Sequence, residues 1–223
     1  MHYVFQFNVV WEHLPELLNG ALLTIELSAT AMGLGLCLAV LCAYGKAAGP
    51  PPLRFVVSAY VELIRNTPFL VQIFIFYFSL PVIGIRLTAN AAALAAMTIN
   101  LGAYACEIVR AGIEAIPHGQ AEAGRALGLK RLQIFRFIIL FPALKTVYPA
   151  LASQFILLML SSSVVSTISA VELTAVTNSL QSTTFRSFEF YFVATGLYLL
   201  MSLGFRLGLN AIYWSVFQRR QAA

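Results

Sequence analysis

The sequence predicts an all-α membrane protein with five transmembrane helices, its N-terminus outside and its C-terminus inside. Three observations predict it. Only 10% of the 223 residues are charged and 60% are hydrophobic, whereas a soluble domain carries about 25% charged residues. The apolar residues gather into five runs, each long enough to cross a bilayer, which takes about 20 residues. The basic residues between the runs are distributed unequally over alternate connections, as orientation by the positive-inside rule requires.

Taken in order, the first span covers about Leu17–Tyr44, the second Phe55–Leu80 and the third Leu87–Val109. The fourth covers about Val147–Ile168 and the fifth Phe190–Phe217. The tail 1–16 holds Glu12 and Glu16 but no Lys or Arg. It has no basic region ahead of its apolar run, so no cleavable signal is expected. The first connection holds Lys46 and Arg54, and the third holds Arg125, Lys130, Arg131, Arg136 and Lys145. With Arg219 and Arg220, one side gathers nine basic residues, against Arg86 and Arg186 on the other. Basic residues are retained on the cytoplasmic side. The expected layout is therefore an extracytoplasmic segment 1–16, a single transmembrane domain 17–217 with a cytoplasmic loop 111–146, and a cytoplasmic tail 218–223.

Polar groups inside the spans are costly to insert and so are candidates for function. Glu62 and Arg65 stand three apart on one helix, as do Glu107 and Arg110, a spacing that permits direct pairing. Mutual neutralisation, or contact with the cytoplasmic loop, is the first reading of both pairs, ahead of substrate contact. Asn66-Thr67-Pro68 is placed to break the second span and free backbone carbonyls. Asn66, Thr67, Asn100, Gln154 and Ser162 are candidate pathway-lining groups, with helix–helix hydrogen bonding as the alternative for each. Glu26, in the outer half of the first span, would face a partner or water. Gly33-Leu34-Gly35 reads as close helix packing.

The third connection contains "GQAEAGRALG" at 119–128. Pro117 and Gly119 end the preceding helix. Gln120–Leu127 then reads as a short helix, with Glu122 in its first turn where a carboxylate suits the positive end of the helix dipole. Ala121, Ala123, Gly124 and Ala126 leave the backbone open to close approach, and Gly128 fits a C-cap. A second short helix is expected at about Lys130–Phe137. Spacing alone divides evenly between a docking element and an ordinary capped loop.

The stretch "EAGRALGLKRLQIFRFIIL" resembles the EAA loop of ABC importer membrane subunits, through Glu122, Ala123, Gly124, Gly128, Ile138 and Leu140. It departs from that pattern in having Gly124 for alanine, and Phe141 before Pro142 where the proline would come first. "VELIRNTPFLVQIFIFYFSLP" (61–81) and "GAYACEIVRAGIEAIPHGQ" (102–120) look like the polar amino acid uptake group of these permeases. "STTFRSFEFY" (182–191) looks like that group's last extracellular connection. The resemblance implies a type I ABC importer-like fold in the bacterial inner membrane, surrounded by lipid. It implies that Glu122, Ala123, Gly124 and Gly128 dock a coupling helix on a dimer of cytoplasmic ATP-binding subunits. It also implies a periplasmic or extracellular solute-binding protein and a second permease subunit, identical or related. The neutral "LSSSVV" at 160–165 selects no substrate charge.

Other functions fit less well. The chain lacks a G-x-x-x-x-G-K-[ST] phosphate loop, so no cofactor is expected in it, and ATP and Mg would be bound by the partner ATPase. A channel or ion-coupled carrier acting alone would leave the loop pattern idle and shows no inverted repeat. An intramembrane enzyme would need a nucleophile–base pair, which is not evident. His2, His13 and His118 are too dispersed for a metal site, and Cys37, Cys42 and Cys106 lie in or beside apolar runs with no C-x-x-C spacing. The basic residues are scattered over loops, which excludes a nucleic-acid footprint.

Overall fold

The computed structural model describes residues 4–218, and every element among them is helical. The elements are α1 (Phe7–Glu12), α2 (Leu14–Ala48), α3 (Pro51–Arg65), α4 (Phe69–Phe74), α5 (Ala89–Glu114), α6 (His118–Ala126), α7 (Arg131–Gln133), α8 (Leu140–Ser161), α9 (Leu173–Thr184) and α10 (Ser187–Tyr213). Among the described residues, four helices are long and apolar enough to cross a membrane: Leu14–Ala48, Ala89–Glu114, Arg131–Ile168 and Ser187–Phe217. The bent pair Pro51–Arg65 and Phe69–Ile83 makes a fifth if it is counted as one span. At 35 residues, α2 is about 52 Å long at 1.5 Å per residue, well beyond the ~30 Å hydrocarbon core.

Prolines and caps explain most boundaries. Pro51 and Pro52 open α3, where a missing N–H costs nothing. The helix ends at Asn66, whose N–H reaches Glu62 O at 3.1 Å, just before Thr67-Pro68. The break expected in the second span is therefore present. The expected separation between Lys130–Phe137 and the fourth span is absent. Instead, α7 runs through a π-helical stretch, Ile134–Ile139, straight into α8. Across this stretch the Leu140 N–H reaches Phe135 O, two residues before Pro142. Pro149 also lies within α8.

Two further differences concern the end of the chain. Residues 173–184 form α9, which the apolar pattern does not announce. The block 182–191, expected as a connection, is mostly helix: only Phe185 and Arg186 separate α9 from α10. Phe185 carries the turn with a φ of +56°. Arg219, Arg220 and His2 lie outside the described residues.

The chain divides into two compact units. The first comprises 1–32, 69–97 and 156–207. Its core contains Leu17, Ile73, Met97, Met159, Ile168, Leu173 and Phe190, all fully or nearly fully buried. Here α9 lies close against α2. Thr24 Oγ1 donates to Gly20 O at 2.9 Å and accepts from the Leu173 N–H at 3.0 Å. The segment before α1 is tied down as well: the Gln6 N–H donates to Glu189 Oε1 at 3.0 Å, and Arg186 donates to Gln6 Oε1 at 2.6 Å.

The second unit comprises 33–68, 98–155 and 208–223. Its core contains Ala39, Ala43, Val61, Leu101, Ala105, Cys106, Val109, Ala143 and Leu151. Small residues let the helices approach. A Cβ on Gly112 would stand 2.8 Å from Ala143 O, a backbone atom of α8 that cannot step aside. One on Gly35 would meet Leu101 Cδ2 at 2.8 Å, whereas Gly33 has nothing near it, so only the second glycine of "GLG" serves packing.

Candidate functional site

The connection between α5 and α8 belongs wholly to the second unit and is built as a surface helix with a fixed exit. Pro117 stands at the N-cap of α6 with ψ of 132°, outside helical geometry. At the other end the Gly128 N–H reaches Arg125 O at 2.9 Å and the Leu129 N–H reaches Gly124 O at 3.1 Å. This is a Schellman closure, and it needs a left-handed residue just past the cap. Gly128 supplies it with a φ of +77°. The sequence reading of Gly128 as a C-cap thus has a geometric basis. The helix itself starts two residues earlier than expected, at His118.

The faces of α6 divide its residues. Glu122, Ala123, Ala126 and Leu127 are exposed, and Leu127 is 79% exposed despite being apolar. Gly124 is different. It is buried, and a Cβ there would meet Ile138 Cδ1 at 2.7 Å and Ile134 Cγ1 at 3.1 Å. Its smallness serves packing of α6 on the π-helical stretch, which corrects the expectation that it keeps an outer surface open. The exchange of alanine for glycine in the loop pattern falls at this inward position. Past the turn, the Lys130 N–H donates to Gln133 Oε1 at 2.7 Å, which starts α7.

An ionic network stands beside this helix. Glu107 Oε1 accepts from Lys46 Nζ at 2.7 Å, and its Oε2 accepts from Arg110 Nε at 2.9 Å. Arg110 also pairs with Glu114. Lys46, read from sequence as a loop residue, sits in the last turn of α2, where a cation suits the negative end of the helix dipole. The network therefore joins the ends of α2 and α5. A cleft of about 340 Å³ lies beside it, lined by Lys46, Arg110 and Glu114 together with His118 and Ala121 of α6. Sequence spacing found Glu107–Arg110. Lys46 and Glu114 were missed, although Glu114 stands four residues after Arg110, a spacing that helices pair.

The other expected pair does not form. Glu62 accepts from Asn66 Nδ2 at 3.0 Å, and the Arg65 guanidinium lies over the Tyr104 ring, 5.5 Å from its centroid. Asn66, at the C-cap of α3, draws the carboxylate away from Arg65, and an aromatic face draws the cation. Of the candidate pathway groups, Asn66 and Thr67 sit at the break, with Thr67 Oγ1 donating to Leu63 O at 2.8 Å. Asn100 and Gln154 are half-buried in the same unit. Ser162 belongs to the first unit and is fully buried, with its hydroxyl donating to Met159 O at 2.7 Å. Its burial leaves no exposed face for a solute. Glu26 is exposed.

A second polar centre was not anticipated. Glu172, at the N-cap of α9, is fully buried in the first unit. Its Oε1 accepts from the Ala175 N–H at 2.7 Å, and its Oε2 accepts from the Tyr198 hydroxyl at 2.6 Å. Thr174 Oγ1 lies 2.8 Å from the same tyrosine oxygen. Burial pushes the Glu172 carboxyl above the usual carboxylate range, against the hydrogen bonds that favour its charged form.

Residues 35–213 match the family described as binding-protein-dependent transport system inner membrane component. The chain is 32% identical over 201 residues to the glutamine transport system permease protein GlnP of Escherichia coli (strain K12), covering 89% of this chain and 92% of that protein. It is 33% identical over 221 residues to the octopine transport system permease protein OccM of Rhizobium meliloti, covering 95% and 90%. Among solved structures, the crystal structure of an amino acid ABC transporter with histidines aligns with a TM-score of 0.84 at 34% identity, covering 95% of this chain and 99% of that chain. An inward-facing MetNI methionine ABC transporter aligns with a TM-score of 0.71 at 20% identity and covers 95% and 99%, a likeness of fold alone.

Proposed function

The chain belongs to the family of binding-protein-dependent transport system inner membrane components, and from that premise we propose how it works as the permease subunit of an ATP-driven amino acid importer. Its solute is an amino acid of the polar group, as the names of its relatives and of the aligned transporter support. The α5–α8 connection faces the cytoplasm, as the distribution of basic residues supports. There α6 is the coupling helix. Glu122, Ala123 and Leu127 meet a separate ATPase subunit, Gly124 seats the helix on Ile134 and Ile138, and Gly128 fixes its exit. ATP and Mg are bound by that partner. The tail before α1 lies outside, where a solute-binding protein delivers the solute, and a second permease copy or a related subunit completes the pathway.

The single observation that carries this reading is a surface helix with a fixed exit, its Glu122, Ala123, Ala126 and Leu127 exposed, beside an ion network that joins two spans. A push on α6 has somewhere to go. Closure of the ATPase dimer displaces α6 into the cleft beside Lys46, Arg110 and Glu114, so that the helix bears on the ends of α2 and α5. Asn66, Thr67, Asn100 and Gln154 are retained as pathway candidates. Ser162 is not, because its side chain is fully buried.

Reconstitution tests the proposal. The chain is placed in liposomes with its cognate ATPase and solute-binding protein, and ATP hydrolysis is measured with and without amino acid. The expected result is hydrolysis stimulated by loaded binding protein and uptake that requires ATP. Uptake by this chain alone, independent of ATP, would sink the importer reading.

A further inference from the structure

A second cleft in the same unit, about 350 Å³, is not used by the coupling role. Arg54 at the start of α3, Arg125 on α6 and Arg131 on α7 all line it, and no carboxylate does. Its remaining wall includes Ile113, Phe135 and Ile139. Among the described residues none of these three arginines has an ion-pair partner. The contrast with Lys46 and Arg110, both paired to Glu107, is sharp. Arg54 Nε donates to Gly49 O at 2.8 Å and Arg125 Nε to Ala121 O at 3.4 Å. Each guanidinium has five N–H donors, so most remain free. Three like charges around one cleft repel one another. An anion with several acceptor oxygens would relieve that repulsion and fill the donors.

The surroundings say which anion. Directly after Arg54, α3 presents an unpartnered apolar strip in which Phe55 is 75% and Leu63 is 63% exposed. Arg54 at the head of α3, with Arg125 and Arg131 also lining the cleft, and apolar side chains along that helix match a lipid, whose phosphate and acyl chains have the same polarity order. We propose that this cleft binds the phosphate headgroup of an anionic phospholipid, with its acyl chains along the exposed face of α3. The side of the membrane rests on the orientation proposed above, which puts the cleft at the inner leaflet, where basic pockets between spans take acidic headgroups.

The test uses the assembled importer, permease with ATPase and binding protein, in phosphatidylcholine nanodiscs carrying a trace of spin-labelled phosphatidylglycerol or spin-labelled phosphatidylcholine. The motionally restricted fraction of each label is measured. The expected result is a preference for phosphatidylglycerol that falls about fivefold or more in the combined variant R54Q/R125Q/R131Q, the worth of at least one surface-bound basic residue. R86Q, outside the cleft, should leave the preference intact. If the combined variant fails to assemble, the three single variants are measured, each expected to lower the preference. Equal restriction of both labels, or a preference untouched by the cleft variants, overturns the proposal. So does displacement by excess inorganic phosphate, which would make the ligand a free anion, and so does a preference that appears only without the ATPase, which would make that subunit the occupant. Substrate-stimulated ATP hydrolysis on the same discs tests the importer reading separately. Lipid preference without stimulated hydrolysis counts against that reading and supports this one.

Discussion

Glu107 and Glu172 are two carboxylates in one apolar chain, and the protein accommodates them in opposite ways. Glu107 keeps 19% of its side chain exposed and is held between two cations, Lys46 and Arg110. Glu172 is fully buried and is held by neutral donors, the Ala175 N–H and the Tyr198 hydroxyl. The difference follows from position. Near a helix end, ionic partners reach the carboxylate without complete desolvation, and the pair can rearrange when a neighbour moves. In the interior an ion pair would desolvate two charges and recover less than it loses. A carboxyl with neutral partners is the cheaper solution there, and a stiffer one. One centre is suited to transmitting motion, and the other to holding α9 in place.

The largest expected effect breaks the stiff centre. Glu172→Ala removes the N-cap of α9 and leaves the Ala175 N–H without its acceptor. Losing the cap strands a buried donor, which costs about 1–3 kcal/mol. The variant should lose about that much, measured as a lower unfolding temperature of the purified chain in detergent. An unchanged unfolding temperature would remove Glu172 from the structural role.

Gly128→Val comes next and addresses the moving centre. A β-branched residue at a φ of +77° costs about 1–3 kcal/mol of backbone strain. No side chain stands within 4 Å of the new Cβ, so the cost is paid by rotating the turn, and α6 shifts. Transport by the reconstituted importer should fall by about tenfold or more, or ATPase association should be lost, with membrane insertion unaffected. Normal uptake and normal ATPase binding together would end the coupling role of α6.

How much of this was legible in the sequence depends on the range of the signal. The break at Asn66–Pro68 and the cap at Gly128 are local: one residue type dictates one backbone geometry, and both are present. The Glu107–Arg110 pair was legible because helical spacing sets it. Glu62–Arg65 has the same spacing and fails, because Asn66 and Tyr104 offered competing partners that spacing cannot rank. Lys46 reads as a loop residue because the apolar run ends before the helix does. Gly124 was assigned to the outer face because the sequence of a nine-residue helix does not say which side Ile134 and Ile138 will cover. The centre at Glu172 is invisible, since Tyr198 and Glu172 meet only through tertiary folding. Orientation was read from charge, and it remains part of the proposal.

A smaller effect sharpens the comparison at the ionic centre. Lys46→Met keeps the aliphatic stem and removes one of the two cations on Glu107. The pair is part-exposed, so solvent screening limits the loss to about 1 kcal/mol or less. Arg110 still holds the carboxylate. The unfolding temperature should therefore fall less than in Glu172→Ala, while the ratio of ATP hydrolysed to solute transported should rise. A large loss of stability with an unchanged ratio would reverse the roles assigned to the two centres.

The smallest effect is a pH slope, and it belongs to Glu172 alone. Burial raises its folded-state pKa above the unfolded value, so between the two values the folded chain holds more protons than the unfolded one. Stability from this group is then fully present below the unfolded carboxyl pKa and is lost as pH rises through the folded one. Glu172→Gln keeps an acceptor for the Ala175 N–H and has no proton to lose. The difference in unfolding temperature between the variant and the wild type should therefore move in the variant's favour as pH rises from the acid side towards neutrality. Parallel profiles would mean that the Tyr198 hydroxyl and the α9 N–H groups fully offset the burial of the charge, and Glu172 would then be as well neutralised by neutral donors as Glu107 is by cations.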